Sequence, residues 1–167
     1  MRYTFSKRCL IGLVLSTLLP LASGAGAKEE LLQPERSTYV GWKFQLSVPH
    51  SLVVKTRKPA EDFELYFFVR GSDPEDEALL KAYAGNFPRF PGEISPDASF
   101  EMIVLGDLKA ASIIWKDQEG RFYRKVLVYL PKEFGIPQKV KFEYGQLSGD
   151  ERGIADSIIE SIKPVKD

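Results

Sequence analysis

The feature that most constrains this chain is a period of two. Between Ser99 and Tyr144 apolar and polar residues alternate through segments bounded by turn residues. Successive side chains on a strand point to opposite faces, so such a segment buries one side of a sheet. Ser99 to Leu105 and Leu108 to Lys116 read as two strands joined at Gly106-Asp107. Asp117-Gln118-Glu119-Gly120 reads as a hairpin turn with glycine last, and Arg121 to Leu130 as its return strand. Phe122, Val126, Val128 and Leu130 face inward there; Arg124 shares that side and calls for a buried acidic partner. Lys139 to Tyr144 is a further strand, with Val140, Phe142 and Tyr144 opposite Lys139, Lys141 and Glu143.

The N-terminal half carries the same signal less regularly. Thr38 to Val48 alternates as one half-buried strand ending at Pro49, and Leu52 to Thr56 is a short second strand. Phe63 to Arg70 is apolar on both faces, which predicts a central strand covered on both sides. Ser72-Asp73-Pro74-Glu75 has the chemistry of a helix start: a capping side chain, proline in the first turn, then acids. Leu79, Leu80 and Tyr83 give the expected helix a buried side, and Gly85-Asn86 its end. A second helix opens at the capping box Ser148-Gly149-Asp150-Glu151 and carries Ile154, Ala155, Ile158, Ile159 and Ile162 as one stripe. The expected fold class is α+β, a single domain with a largely antiparallel sheet and helices packed on its faces.

Residues 1–27 read as a secretory signal peptide. Arg2, Lys7 and Arg8 form a basic start, Leu10 to Leu21 an apolar stretch, and Ala25-Gly26-Ala27 a small-x-small site. Cleavage after Ala25 and cleavage after Ala27 both fit. The apolar stretch is shorter than the roughly 20 residues that span a bilayer. Residues 28–37 form a flexible lead-in with Pro34, and residues 38–167 the α+β domain. The apolar content of 44% and charged content of 28% suit a globular chain.

Removing the leader takes away three basic residues and the single cysteine, Cys9. What remains has 20 basic and 23 acidic residues, a net charge of −3, too weak a field to attract nucleic acid or an anionic membrane. Cys9 opens the apolar stretch instead of following it, so a lipid anchor is not expected. A thiol-free exported domain points to the periplasm or a similar lumen.

Catalytic and metal chemistry find few parts. His50 is the single histidine and reads as a turn residue. Asp73, Glu75, Asp76 and Glu77 lack the alternating spacing and glycine of a calcium loop. No nucleotide-binding or nucleophile-elbow motif occurs. The expectation is a non-enzyme with no cofactor and no metal. The best recognition candidate is the loop Phe87-Pro88-Arg89-Phe90-Pro91-Gly92, with two aromatics and an arginine stiffened by prolines. Two readings of it stand: insertion into a partner, or Phe87 and Phe90 folded back as a plug over the core. Arg121, Tyr123, Lys125 and Tyr129 alternate on one strand face as a candidate basic-aromatic patch.

Two segments carry a resemblance. Ile154-Ala155-Asp156-x-Ile158-Ile159-x-Ser161-Ile162-Lys163, with the strand and capping box before it, resembles the last helix of the PsbP-like family of lumenal and periplasmic domains. Gly41-Trp42-Lys43-Phe44-Gln45-Leu46-Ser47-Val48-Pro49 is similar to that family's opening strand. The resemblance implies a PsbP-like fold and a non-enzymatic role, as is typical of such domains, and it carries over no functional residues, because the matching positions are core and cap residues. Some such domains support photosystem assembly, and some bacterial ones look like immunity proteins against toxins delivered by type VI secretion. The expected function is a periplasmic protein-binding module, in its sharpest form an immunity protein inhibiting a toxic effector. An envelope accessory or assembly factor, and a small-molecule or lipid carrier using a pocket between sheet and helix, are the alternatives.

Overall fold

A computed structural model describes residues 35–86, 88, 90, 94–135 and 137–166. The segment expected to be a signal peptide and most of the expected lead-in lie outside the described residues, as do Ala25 and Ala27. The first strand begins at Arg36, inside the segment expected to be a loose lead-in.

The strands are β1 (Arg36–Val40), β2 (Phe44–Pro49), β3 (Leu52–Ala60), β4 (Phe63–Arg70), β5 (Leu80–Gly85), β6 (Ser99–Leu105), β7 (Leu108–Lys116), β8 (Phe122–Tyr129), β9 (Lys139–Leu147) and β10 (Lys163–Pro164). One α-helix, α1 (Gly149–Glu160), is found among the described residues. Seven strands form an antiparallel sheet in the order β3-β4-β5-β9-β8-β7-β6. A smaller sheet, β1-β2-β10, joins α1 on one face of it. The architecture is therefore α+β and mostly antiparallel, as the alternation required.

Three expectations change. The helix expected after Ser72 is a single 3-10 turn, Glu75–Glu77, followed by β5. Pro74 and the acids do start a helical turn, but Ala78 is already extended at φ −61°, ψ 129°. From there Leu80, Ala82 and Ala84 alternate into the core, and β5 fills the place between β4 and β9. Among the described residues a single helix, α1, thus lies on one face of the sheet, where helices on its faces were expected.

The expected strand from Thr38 to Val48 is a hairpin. Gly41 N–H donates to Phe44 O at 2.9 Å, and Lys43 takes the left-handed φ of 66°. Val40 is consequently exposed while Phe44, Leu46 and Val48 are buried. Strand β4 is central, between β3 and β5, but unevenly covered: Tyr66 and Phe68 enter the core, whereas on the opposite face Val69 is buried and Phe63, Leu65 and Phe67 are half-buried.

The core lies between the large sheet, the small sheet and α1. Phe44, Phe68, Phe142, Ile158 and Ile159 fill it, with Tyr66 at its edge. The Tyr66 hydroxyl accepts from Trp42 N–H at 2.9 Å and donates to Glu64, tying β4 to the β1–β2 turn. Burial, with the Glu64 carboxylate beside it, pushes the Tyr66 hydroxyl far above its ordinary pKa of 10. The capping box of α1 forms as its sequence specifies, and Arg70 Nη2 adds a 2.8 Å bond to Glu151. Arg124 finds the acidic partner it needs on α1: Nη1 is 2.8 Å from Asp156 Oδ1, and Nε donates to Ser112 Oγ at 3.0 Å. Among the described residues no helix is long and apolar enough to cross a membrane.

Candidate binding face

The helix and the small sheet cover one face of the large sheet, so the side chains alternating away from them form a second face. Register assigns its rows. One row runs Lys55, Phe67, Lys81, Glu143, Lys125, Ile113, Phe100 from β3 to β6. The next runs Arg57, Leu65, Tyr83, Lys141, Leu127, Ala111, Met102. The face therefore changes character across the sheet: aromatic at β4, charged over β5, β9 and β8, apolar at β7 and β6.

The apolar end is the more exposed. Phe100 is 63%, Met102 61% and Val104 70% accessible, all on edge strand β6. Behind them Ala111, Ile113 and Leu127 are buried on the same face.

The charged centre is a trough. A cavity of about 210 Å³ is lined by Leu65, Phe67, Lys81, Tyr83, Lys141 and Glu143. A second, of about 460 Å³, adjoins it through Lys81 and Glu143 and reaches Trp115, Tyr123 and Lys125, with Asp76 also in its lining. Lys141 Nζ lies 2.9 Å from Glu143.

Each end of the trough carries a stacked aromatic pair. Phe63 and Tyr83 lie 5.2 Å apart at 17°, and Trp115 and Tyr123 5.3 Å apart at 12°. Both tyrosine rings lie over glycines. A Cβ on Gly85 would stand 2.7 Å from the Tyr83 ring, and one on Gly145 2.9 Å from Tyr123. Burial raises the pKa of both tyrosines, helped by Asp62 for Tyr83 and by the bond to Asp117 for Tyr123.

A bulge sets the second pair. Phe122 pairs with Leu147 and Arg124 with Tyr144, so Tyr123 faces two residues of β9, Gly145 and Gln146. Gln146 takes φ 60°, a conformation that side-chain-bearing residues rarely adopt. The extra residue bends β9 and turns Tyr123 over Gly145.

The residues singled out in sequence are distributed unevenly over this geometry. Tyr123, Lys125 and Tyr129 do share the face. Arg121 precedes β8 and pairs with Asp117 at 2.7 Å and with Glu119. Pro88 and Phe90 are half-buried, while Phe87, Arg89, Pro91 and Gly92 lie outside the described residues. His50 is exposed, with Nδ1 3.3 Å from Glu35. Asp73 and the acids of the 3-10 turn form no metal cluster, and none of three or more ligating side chains occurs among the described residues.

Sequence reasoning missed Phe67, Lys81, Tyr83 and Trp115. The helix expected over residues 72–85 hid Lys81 and Tyr83. Lys141 and Glu143 were legible only as the polar side of a strand. No family model and no curated protein matches the sequence.

Proposed function

We propose that this chain is an exported, non-catalytic protein-binding module. The observation that carries the reading is the apolar edge of the large sheet. An edge strand invites pairing with another chain, and proteins ordinarily blunt it with charge or proline. The opposite edge, β3, follows that practice with Lys55, Arg57, Lys58 and Pro59. Strand β6 does the reverse, exposing Phe100, Met102 and Val104. A large exposed apolar patch marks an interaction surface.

The leader-like residues 1–27 support a periplasmic location, and the PsbP-like resemblance of the last helix supports a binding role. In its sharpest form the module is an immunity protein that covers a toxic effector. The partner to test is the product of the gene adjoining its own. A stoichiometric complex is expected, weakened about tenfold or more by Phe100→Glu with Met102→Glu. A complex of unchanged affinity in that variant would show that β6 is not the interface. The Arg89→Glu, Phe90→Ala double variant tests the proline-rich loop in the same assay.

A further inference from the structure

We propose that β6 is the seam of a homodimer, pairing antiparallel with β6 of a second copy about a two-fold axis at Met102. The inference rests on the reading of β6 as an interaction edge and names the occupant of that edge in the protein alone.

Backbone direction provides the first argument. Strand β6 pairs with β7 without interruption from Ser99↔Ile114 to Leu105↔Leu108, so no bulge turns the edge away. Two residues, Gly106 and Asp107, join the strands, and Gly106 takes the left-handed φ of 59°. Glycine with positive φ at the first of two turn positions is the mark of a type II′ hairpin, in which the flanking residues exchange both backbone hydrogen bonds. Those residues are Leu105 and Leu108. Alternation then directs the N–H and C=O of Ser99, Glu101, Ile103 and Leu105 toward β7, and those of Phe100, Met102 and Val104 outward along the edge. The same three residues carry the exposed apolar side chains.

Self-complementarity provides the second. With the axis at Met102, Phe100 stands opposite the second copy's Val104, and Met102 opposite the second copy's Met102. Every such pair joins outward-directed residues, so each exchanges both N–H···O bonds. Their side chains meet on one face as opposed apolar pairs, which stabilise a sheet. Glu101 is the single charge of the strand, and it falls opposite the second copy's Ile103. Moving the axis to Glu101 would set two carboxylates against each other and shorten the overlap.

Closure provides the third. The other edge of the large sheet, β3, is lined with Lys55, Arg57 and Lys58, and its Pro59 has no N–H to donate. The Tyr39 hydroxyl of β1 also reaches this edge, 2.8 Å from Thr56 Oγ1. One open edge and one blunted edge give a closed pair, the same patch meeting itself, and not a growing fibre.

A seam of 7 residues is small for an interface, so the dimer is expected to dissociate at about 10–100 μM. Sedimentation of the exported protein alone, from about 1 to 500 μM, is expected to show that monomer–dimer equilibrium. Met102→Glu and Met102→Lys each put like charges on the axis and should weaken the dimer about tenfold or more. Mixed in equal amounts, the two variants bring opposite charges together at the axis and should recover the dimer. Misfolded variants cannot produce that recovery. A wild-type monomer over the whole range, an undiminished dimer in either variant alone, or no recovery on mixing would each overturn the proposal. The assay with the neighbouring gene product separates this inference from the reading it rests on. A monomeric wild type whose complex is still weakened by Phe100→Glu with Met102→Glu removes the dimer and leaves that reading. A dimer lost in that variant, with the complex unchanged, supports the dimer and removes β6 as the effector interface.

Discussion

At Gly41 a single hydrogen atom decides the shape of the N-terminal hairpin. A methyl group there would stand 2.6 Å from the Phe44 ring. That ring is fully buried and stacks edge-on against Tyr66 at 5.2 Å, so it has nowhere to move. Gly41→Ala is expected to destabilise the fold by about 1–3 kcal/mol, read from the urea midpoint at unchanged slope. Glu151 makes a second prediction at this scale. The backbone N–H of Ser148 and the Arg70 guanidinium hold its carboxyl down at about 2, against an ordinary 4.5. A carboxyl held low in the folded state stabilises it above the unfolded pKa, and that stabilisation disappears as pH falls through the folded pKa. Glu151→Gln keeps the shape of the capping box without the charge. The stability difference between wild type and this variant is expected to be full above pH about 5 and to close toward pH about 2, measured by denaturant titration across that range.

Elements succeed or fail in the sequence according to how far their pattern is local. Helix α1 is specified by Ser148, Glu151 and the isoleucine stripe, all between Ser148 and Ile162. Strands β6 to β9 declare themselves by alternation and turns; Gly120 at φ 77° and Gly106 at φ 59° do the turning. Strand β5 could not be read this way. Its apolar residues fit helical and extended spacing equally, and the helix-start chemistry before it is real but ends after one turn. The unpaired edges of β4 and β9 decide the matter, because their hydrogen-bonding groups need a strand between them. The join between sheet and helix gives a prediction at this scale. Asp156 is held by Arg124, by Tyr144 and by Arg152, whereas buried Arg124 has only Asp156 and Ser112 among these contacts. Asp156→Leu is therefore expected to cost about 3–5 kcal/mol, by stranding a buried guanidinium. Arg124→Met leaves Asp156 two partners and should cost less. The double variant should recover part of the Asp156→Leu loss, a coupling that a double-mutant cycle measures directly.

For the whole molecule, the informative asymmetry is between the two faces of the large sheet. One is closed by α1 and the small sheet into a single core; the other is graded from aromatic through charged to apolar. The sequence by itself determined much of this. Period-two alternation required sheet, the capping box and stripe required the terminal helix, and Arg124 among apolar neighbours required a buried acid. These are local rules, in which the residues that carry the signal are also the residues that respond to it. Only the tertiary structure decided that residues 80–85 are a strand, that residues 36–49 are a hairpin, and which residues share a row on the open face. Lys81, Lys125 and Glu143 are up to 62 positions apart, and nothing in their separate strands marks them as neighbours. Register across strands brought them together, and register is set by hydrogen bonds and burial summed over the whole sheet.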